Sequence, residues 1–201
     1  MFSELLDGLS LEADILVEIS VSLIATIWVK DTSECLQEIQ MNPLKLKRKE
    51  EWNELLRLIA EETEMTVSLT DGKGNRLLQS QGERCPLCAK IREKEDSLTF
   101  ICSQCNTAML REARQVSMPI IDCCDAGISR MVVPIIREGM LIGQVTACGG
   151  ILEDEEIDLF LIARQLGITE EEVEALAASS PIISKDEVRR KAYKFFTELN
   201  S

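Results

Sequence analysis

The sequence predicts an α+β fold: an antiparallel sheet flanked by helices, with an N-terminal extension ahead of it. Three observations carry this. Residues 49–63 place Trp52, Leu55, Leu56 and Ile59 at i, i+3, i+4 and i+7, the spacing of one helix face. Residues 65–78 alternate around a glycine-rich turn, and two further apolar runs, 131–136 and 141–145, flank Glu138-Gly139 as a strand pair would.

The elements follow in chain order. Residues 1–45 form the extension and 46–201 the main domain. From Ile15 to Val29 every odd position is apolar while Glu18, Ser20, Ser22 and Thr26 fall at even ones, which favours a strand. Ile15, Ile19, Leu23 and Ile27 also share a helix face, so the helical alternative stays open. Asn42-Pro43 breaks the chain, and Lys45, Lys47, Arg48 and Lys49 read as the solvated start of the 49–63 helix. Val67 and Leu69 then lead into Asp71-Gly72-Lys73-Gly74-Asn75, where glycines supply a hairpin's positive φ angles. Asn106 to Gln115 reads as a helix and Pro119 to Asp122 as a strand. The acidic run 153–156 is expected to open a helix reaching Leu166, Thr169 to cap the helix 170–178, and residues 186–199 to close the chain.

Composition removes whole classes of function. The formal net charge of −13 argues against a partner with a phosphate backbone, which needs a basic surface. The chain contains no histidine, so it can hold neither a Ser-His-Asp triad, nor a His-ligated zinc hydrolase, nor a phosphoacceptor histidine. Its most apolar stretch, 19–29, lies between Glu18 and Lys30 and falls short of the ~20 residues that span a bilayer. Eight cysteines behind an N-terminus without a basic leader fit a reducing, cytoplasmic setting and thiol or metal chemistry.

The cysteines are the sharpest signal. Cys85-Pro86-Leu87-Cys88 and Cys102-Ser103-Gln104-Cys105 are two Cys-x-x-Cys pairs, with Cys123-Cys124 and Cys148 downstream. Thiolates of Cys85, Cys88, Cys102 and Cys105 would suit a closed tetrahedral zinc site. Against this, the pairs stand closer than the usual ~15–20 residues and neither has a glycine after its second cysteine. One pair could instead form a reversible disulfide as a redox switch, or the thiols could be inert core. Met109, Met118, Met131 and Met140 read as core filler.

From about Val67 to Leu199 the chain resembles the PocR-type sensory domain, a PAS-like ligand-binding module of signalling proteins. The resemblance rests on Cys85-Pro-Leu-Cys88-Ala-Lys-Ile91, on Cys102 opening a helix, and on Pro119-Ile-Ile-Asp-Cys-Cys124. It continues through Ala126-Gly127-Ile128, Val133-Pro134-Ile135-Ile136, Gly139-x-x-Ile142-Gly143-Gln144 and Leu166-Gly-Ile-Thr-Glu-Glu-Glu-Val173. It implies a PAS/GAF-like sheet, a non-catalytic sensory role, and a small-molecule ligand such as a short diol or hydrocarbon derivative. Its landmarks also imply a different ligand set, Cys88, Cys102, Cys124 and Cys148, for an iron–sulfur cluster. Asp125 stands where the family commonly has histidine. With Gly127 and Gln144 it is a candidate ligand contact, although the glycine also reads as turn geometry and the glutamine as solvent-facing.

The sequence thus predicts a cytoplasmic sensory module, homo-oligomeric, with no nucleic acid partner and no membrane span. It would read a small molecule or redox state through a cysteine-rich iron–sulfur or zinc site, or without a cofactor. Helices 49–63 and 186–199 would couple it to a second protomer or an output protein. A small thiol-redox protein and a zinc-stapled interaction subunit are the alternatives.

Overall fold

Asn42 opens the described chain by accepting the Leu44 N–H on its side chain, which turns Pro43–Lys45 into one tight 3-10 turn. The computed structural model describes residues 42–82 and 85–201. The Ile15–Val29 strand expected from alternation, and Cys35, lie outside them. Helix α1 (Lys49–Thr63) follows as its periodicity requires, burying Trp52, Leu56 and Ile59 and ending where Glu64 turns left-handed at φ 57°.

The hairpin is β1 (Thr66–Asp71) and β2 (Arg76–Gln79). Asp71 holds its turn by accepting the Lys73 and Asn75 backbone N–H groups. Next come α2 (Pro86–Arg92), a single turn at Glu95–Ser97 and a π-helical turn (Leu98–Ser103) that runs straight into α3 (Gln104–Val116). Strands β3 (Ile120–Cys123), β4 (Ile128–Arg137) and β5 (Met140–Leu152) form a meander, with Glu138 and Gly139 both at positive φ in the β4–β5 turn. Then come α4 (Leu159–Leu166), α5 (Glu170–Ala177), a short β6 (Ile182–Ile183) and α6 (Lys185–Asn200).

The sheet order is β2-β1-β5-β4-β3, antiparallel throughout, with β6 added parallel to β5. This is the PAS/GAF-like arrangement that the sequence predicts. Helix α1 packs on β1 and α6 on β4, while α3 packs on β3 and β4. The long central strands are buried on both faces, so β4 reads as a continuous apolar run rather than an alternating one.

One expected boundary moves. The acidic run 153–156 lies in the turn and extended chain after β5; α4 starts later because Asp158 caps it by accepting the Leu161 N–H. Thr169 does cap α5, within a capping box closed by Glu172. The first cysteine pair also sits on a helix, α2, that the residue pattern does not announce. Among the described residues no helix is long and apolar enough to cross a membrane.

Candidate thiol-lined site

Cys85 begins the site because it begins a helix. Its backbone is extended, Pro86 occupies the first helical position, and its sulfur accepts the Cys88 backbone N–H at 3.3 Å. Sulfur here does the work that a serine or aspartate oxygen does in most N-caps. The same sulfur lies 3.2 Å from Ser180 Oγ, just before β6. A hydrogen bond with the Cys88 thiol, helped by Ser180 and the Cys88 backbone N–H and opposed by burial, lowers the Cys85 thiol to about 6. The Cys88 thiol goes the other way: contact with the sulfurs of Cys148 and Cys85, and then burial, push it up.

The sheet supplies Cys148 through a bulge. Arg130 pairs with Cys148 and Ser129 with Gly150, leaving Gly149 as the extra residue at φ 129°. Without a side chain there, Cys85 can pack against the strand: a Cβ on residue 149 would stand 3.0 Å from that of Cys85. Arg92, at the end of α2, donates its Nη2 to Cys148 Sγ at 3.1 Å.

Cys102, in the π-helical turn, and Cys124, after β3, pack on the same core as Cys85 and Cys88. Burial pushes the Cys102 thiol up to about 11, with the negative charge of Cys124 and Cys148 adding and the guanidinium groups of Arg92 and Arg130 opposing. Burial also raises Cys124, and Cys148 adds to it. The site thus gathers Cys85 and Cys88 from the start of α2, Cys148 from β5, Cys102 from the π-helical turn, Cys124 from the β3–β4 turn, and two arginines.

This grouping follows the second sulfur set more than the first. Cys105 turns toward the α3 flank, 3.6 Å from Met109 Sδ and 3.9 Å from the Cys123 carbonyl, and meets the group through Cys124 and Arg130. The two Cys-x-x-Cys pairs therefore do not close on each other as paired knuckles, because each belongs to its own helix start. Among the described residues no three Cys, Asp or Glu side chains stand in a metal-holding arrangement.

The three candidate ligand contacts separate. Asp125 is exposed at the tip of the β3–β4 turn. Gly127 closes that turn, its N–H donating to Cys124 O at 2.8 Å, with φ 76° and a Cβ position that would collide with the Glu156 carbonyl. Turn geometry accounts for this glycine. Gln144 is fully buried in mid-β5 and does not face solvent.

Gln144 shares its face of β5 with Thr146 and Cys148, and registers against Thr70 on β1. That face continues through Thr66 and Ser68 on β1 and through Arg130 and Val132 on β4, under Met109 and Ala113 of α3. Ser68 and Thr146 hydroxyls lie 3.2 Å apart. Among the described residues, neither amide atom of Gln144, nor Thr70 Oγ1, nor Arg130 Nε has a hydrogen-bond partner. Sequence reasoning missed Thr70, Arg92, Arg130 and Ser180. The polar residues at every second position of buried β1 and β5 were a readable signal for Thr70.

No curated protein matches the chain at a significant level. Solved structures with partial overlap include a double mutant of the PobR transcription factor inducer-binding domain, in complex with 3-hydroxybenzoic acid, from Acinetobacter. It is 12% identical, covers 65% of this chain and 98% of that one, and has a TM-score of 0.31. A C-terminal domain of a transcriptional regulator from Vibrio cholerae is 13% identical over 66% of this chain and 96% of that one, at TM-score 0.28. An IcIR transcriptional regulator from Alicyclobacillus acidocaldarius is 16% identical over 71% and 64%, at 0.26. Identities of 12–16% and TM-scores of 0.26–0.31 carry no inference about what the present chain binds. The family model for the sensory domain found in PocR, by contrast, matches residues 46–201, and the chain belongs to that family of sensory domains.

Proposed function

We propose that this sensory domain reads a small molecule or redox state through its thiol-lined site, in a cytoplasmic signalling protein and without catalysis of its own. Cys88, Cys102, Cys124 and Cys148 would hold an iron–sulfur cluster or a zinc ion, with Cys85 beside them. The single supporting observation is the meeting of Cys85, Cys88, Cys102 and Cys124 on one core, with Cys148 of β5 against Cys88. An all-sulfur donor set suits a soft metal, and Arg92 and Arg130 offset the charge that thiolates bring. Bound metal would contribute charge neutralisation and a link between elements. The chain's own part is to aim the sulfurs and to pass any change in their spacing to α2 and β5. Helices α1 and α6 are the elements by which such a change would reach an output protein or a second protomer.

A thiol switch is the second reading, favoured by Cys88 touching both Cys85 and Cys148. Closing a disulfide there removes two protons and two electrons from two thiols, which a small oxidised disulfide in the medium would accept. Anaerobic purification with elemental analysis and a visible spectrum tests both. A brown chromophore supports the cluster and stoichiometric zinc the metal staple. A colourless, metal-free protein whose thiol count stays unchanged after treatment with oxidised glutathione overturns the thiol-lined reading.

A further inference from the structure

We propose that the sheet face around Gln144 on β5 and Thr70 on β1, four residues along β5 from Cys148, is a ligand subsite distinct from the thiol cluster, shaped for a small uncharged molecule that carries a primary carboxamide. Gln144 and Thr70 would hold it. The proposal deepens the sensory reading and rests on it for its signalling consequence, though not for binding itself.

The argument begins with an exception to a strong rule. Buried polar side chains find hydrogen-bond partners, and each one that does not calls for a physical reason. Gln144 is 0% exposed and Thr70 5% exposed, in the middle of the sheet; Ser129 Oγ and Arg130 Nε, the other unpartnered buried atoms among the described residues, lie toward the start of β4. Among the described residues, both amide atoms of Gln144 and the hydroxyl of its cross-strand neighbour Thr70 have no partner. Three polar groups at one register position form a focus, where a core would ordinarily carry valine or leucine.

Ligand class follows from the inventory of donors and acceptors. The Gln144 amide presents one acceptor oxygen beside an NH₂ donor, and the Thr70 hydroxyl can do either. A primary carboxamide presents the mirror-image pair, so it satisfies both glutamine atoms in one planar contact. A carboxylate offers acceptors only and would leave Gln144 Oε1 unpaired. The residues at the neighbouring register position, Ser68, Thr146 and Val132, carry no charge, while Arg76 on β2 and Arg130 on β4 stand at the margins of the face, so the donor and acceptor pairing of Gln144 sets the preference. Met109 and Ala113 of α3 pack on Val132, in register with Thr146 on this face, and would be the apolar side for a short alkyl or aryl tail; Arg114 ties the end of α3 to the Gly72 carbonyl on the β1–β2 turn.

A route to output lies one residue away. Gly143 precedes Gln144 and faces the opposite side of the sheet, where it packs against Pro43, whose carbonyl accepts the Trp52 indole N–H of α1 at 3.0 Å. A molecule that pulls on Gln144 therefore acts on the strand that seats this contact.

The test is thermal unfolding of the full reduced chain, its metal content measured first, with propionamide, propionate or 1,2-propanediol. At about 50 mM, a site with a dissociation constant of about 1 mM raises the midpoint by roughly 5–9 °C through mass action. The expected result is a rise with propionamide alone, lost in Gln144→Leu and reduced in Thr70→Val. Should Gln144→Leu not fold, Thr70→Val alone decides. No rise, a rise that survives in these variants, or an equal rise with propionate or the diol overturns the proposal. Propionamide binding by a metal-free, oxidant-insensitive protein would keep this subsite and discard the thiol reading, whereas a metal-loaded protein indifferent to amides would do the reverse.

Discussion

Cys85 packs directly on the backbone of Gly149, the extra residue of the β5 bulge. Both sides of this contact are rigid, since Cys85 is pinned at the start of α2 and Gly149 sits at φ 129°, where L side chains rarely go. Gly149→Ala should therefore lower unfolding stability by about 1–3 kcal/mol, from backbone strain and the displaced cysteine together. Urea unfolding reads this directly. Any metal bound by the wild-type domain should be lost or sharply reduced in the variant, because displacing Cys85 moves the start of α2 and carries Cys88 away from Cys148. An unchanged midpoint would show that the bulge relaxes freely and does not position the sulfurs.

The thiols make opposite predictions on the two sides of pH 9 for the metal-free domain. Cys85 ionises at about 6 when folded and near 9.0 when unfolded, so the folded state binds fewer protons in between. Its contribution to stability is full above pH 9 and is lost as pH falls toward 6. Cys102, Cys105 and Cys123 are held up at about 11 by burial, so above pH 9 the unfolded chain ionises first and stability falls. Urea midpoints should rise from pH 6.5 to 8.5 and drop by pH 10, the rise being no steeper than about tenfold in the folding equilibrium per pH unit. Cys85→Ala should flatten the lower limb and leave the upper one.

Much of this fold was legible in the residues. The face spacing of α1, the Thr169 cap and the Asp71-Gly72-Lys73-Gly74-Asn75 turn each state a local preference that tertiary packing did not have to override. The site was legible only as a list of sulfurs. Which cysteines meet depends on a bulge at Gly149 and on a π-helical turn at 98–103, and neither has a period that a pattern can detect. The first Cys-x-x-Cys pair looked like half of a zinc site, yet Pro86 makes it a helix cap; proline after a polar cap was the available clue. Gln144 was read as either solvent-facing or ligand-facing, and burial on both faces of β5 removes the first option.

Asn200 tests how the C-terminal helix is fixed. Beyond its pairing with β3, the outer edge of β4 would leave backbone groups open, and Asn200 takes them: Oδ1 accepts the Ile136 N–H at 2.6 Å and Nδ2 donates to the Pro134 carbonyl at 3.0 Å. Arg137 adds a bond from its Nη2 to Leu199 O. Asn200→Ala should cost about 1–3 kcal/mol in urea unfolding, since two backbone groups lose their partners. Asn200→Asp keeps the acceptor and loses the donor, so it should fall between the two. Equal stability of all three proteins would mean that α6 is held by Phe195 and Leu199 packing alone.

The contact between Gly143 and Pro43 offers a direct reading of coupling between the sheet and α1. A Cβ on residue 143 would collide with the Pro43 ring and stand 2.5 Å from the Thr70 carbonyl, neither of which can swing aside as a flexible side chain would. Gly143→Ala should therefore push Pro43 off the sheet and break the bond from the Trp52 indole to the Pro43 carbonyl. The chain has two tryptophans, so a Trp28→Phe background leaves Trp52 as the reporter. Its emission, blue-shifted in the parent because the ring is fully buried, should move to the red in Gly143→Ala, with a loss of about 1–3 kcal/mol in stability. If propionamide also shifts Trp52 emission in the parent, and does so through Gln144, the same strand carries the ligand's effect to α1. A Trp52 signal that responds to Gly143→Ala but never to ligand would leave the strand as a structural support and place the output elsewhere.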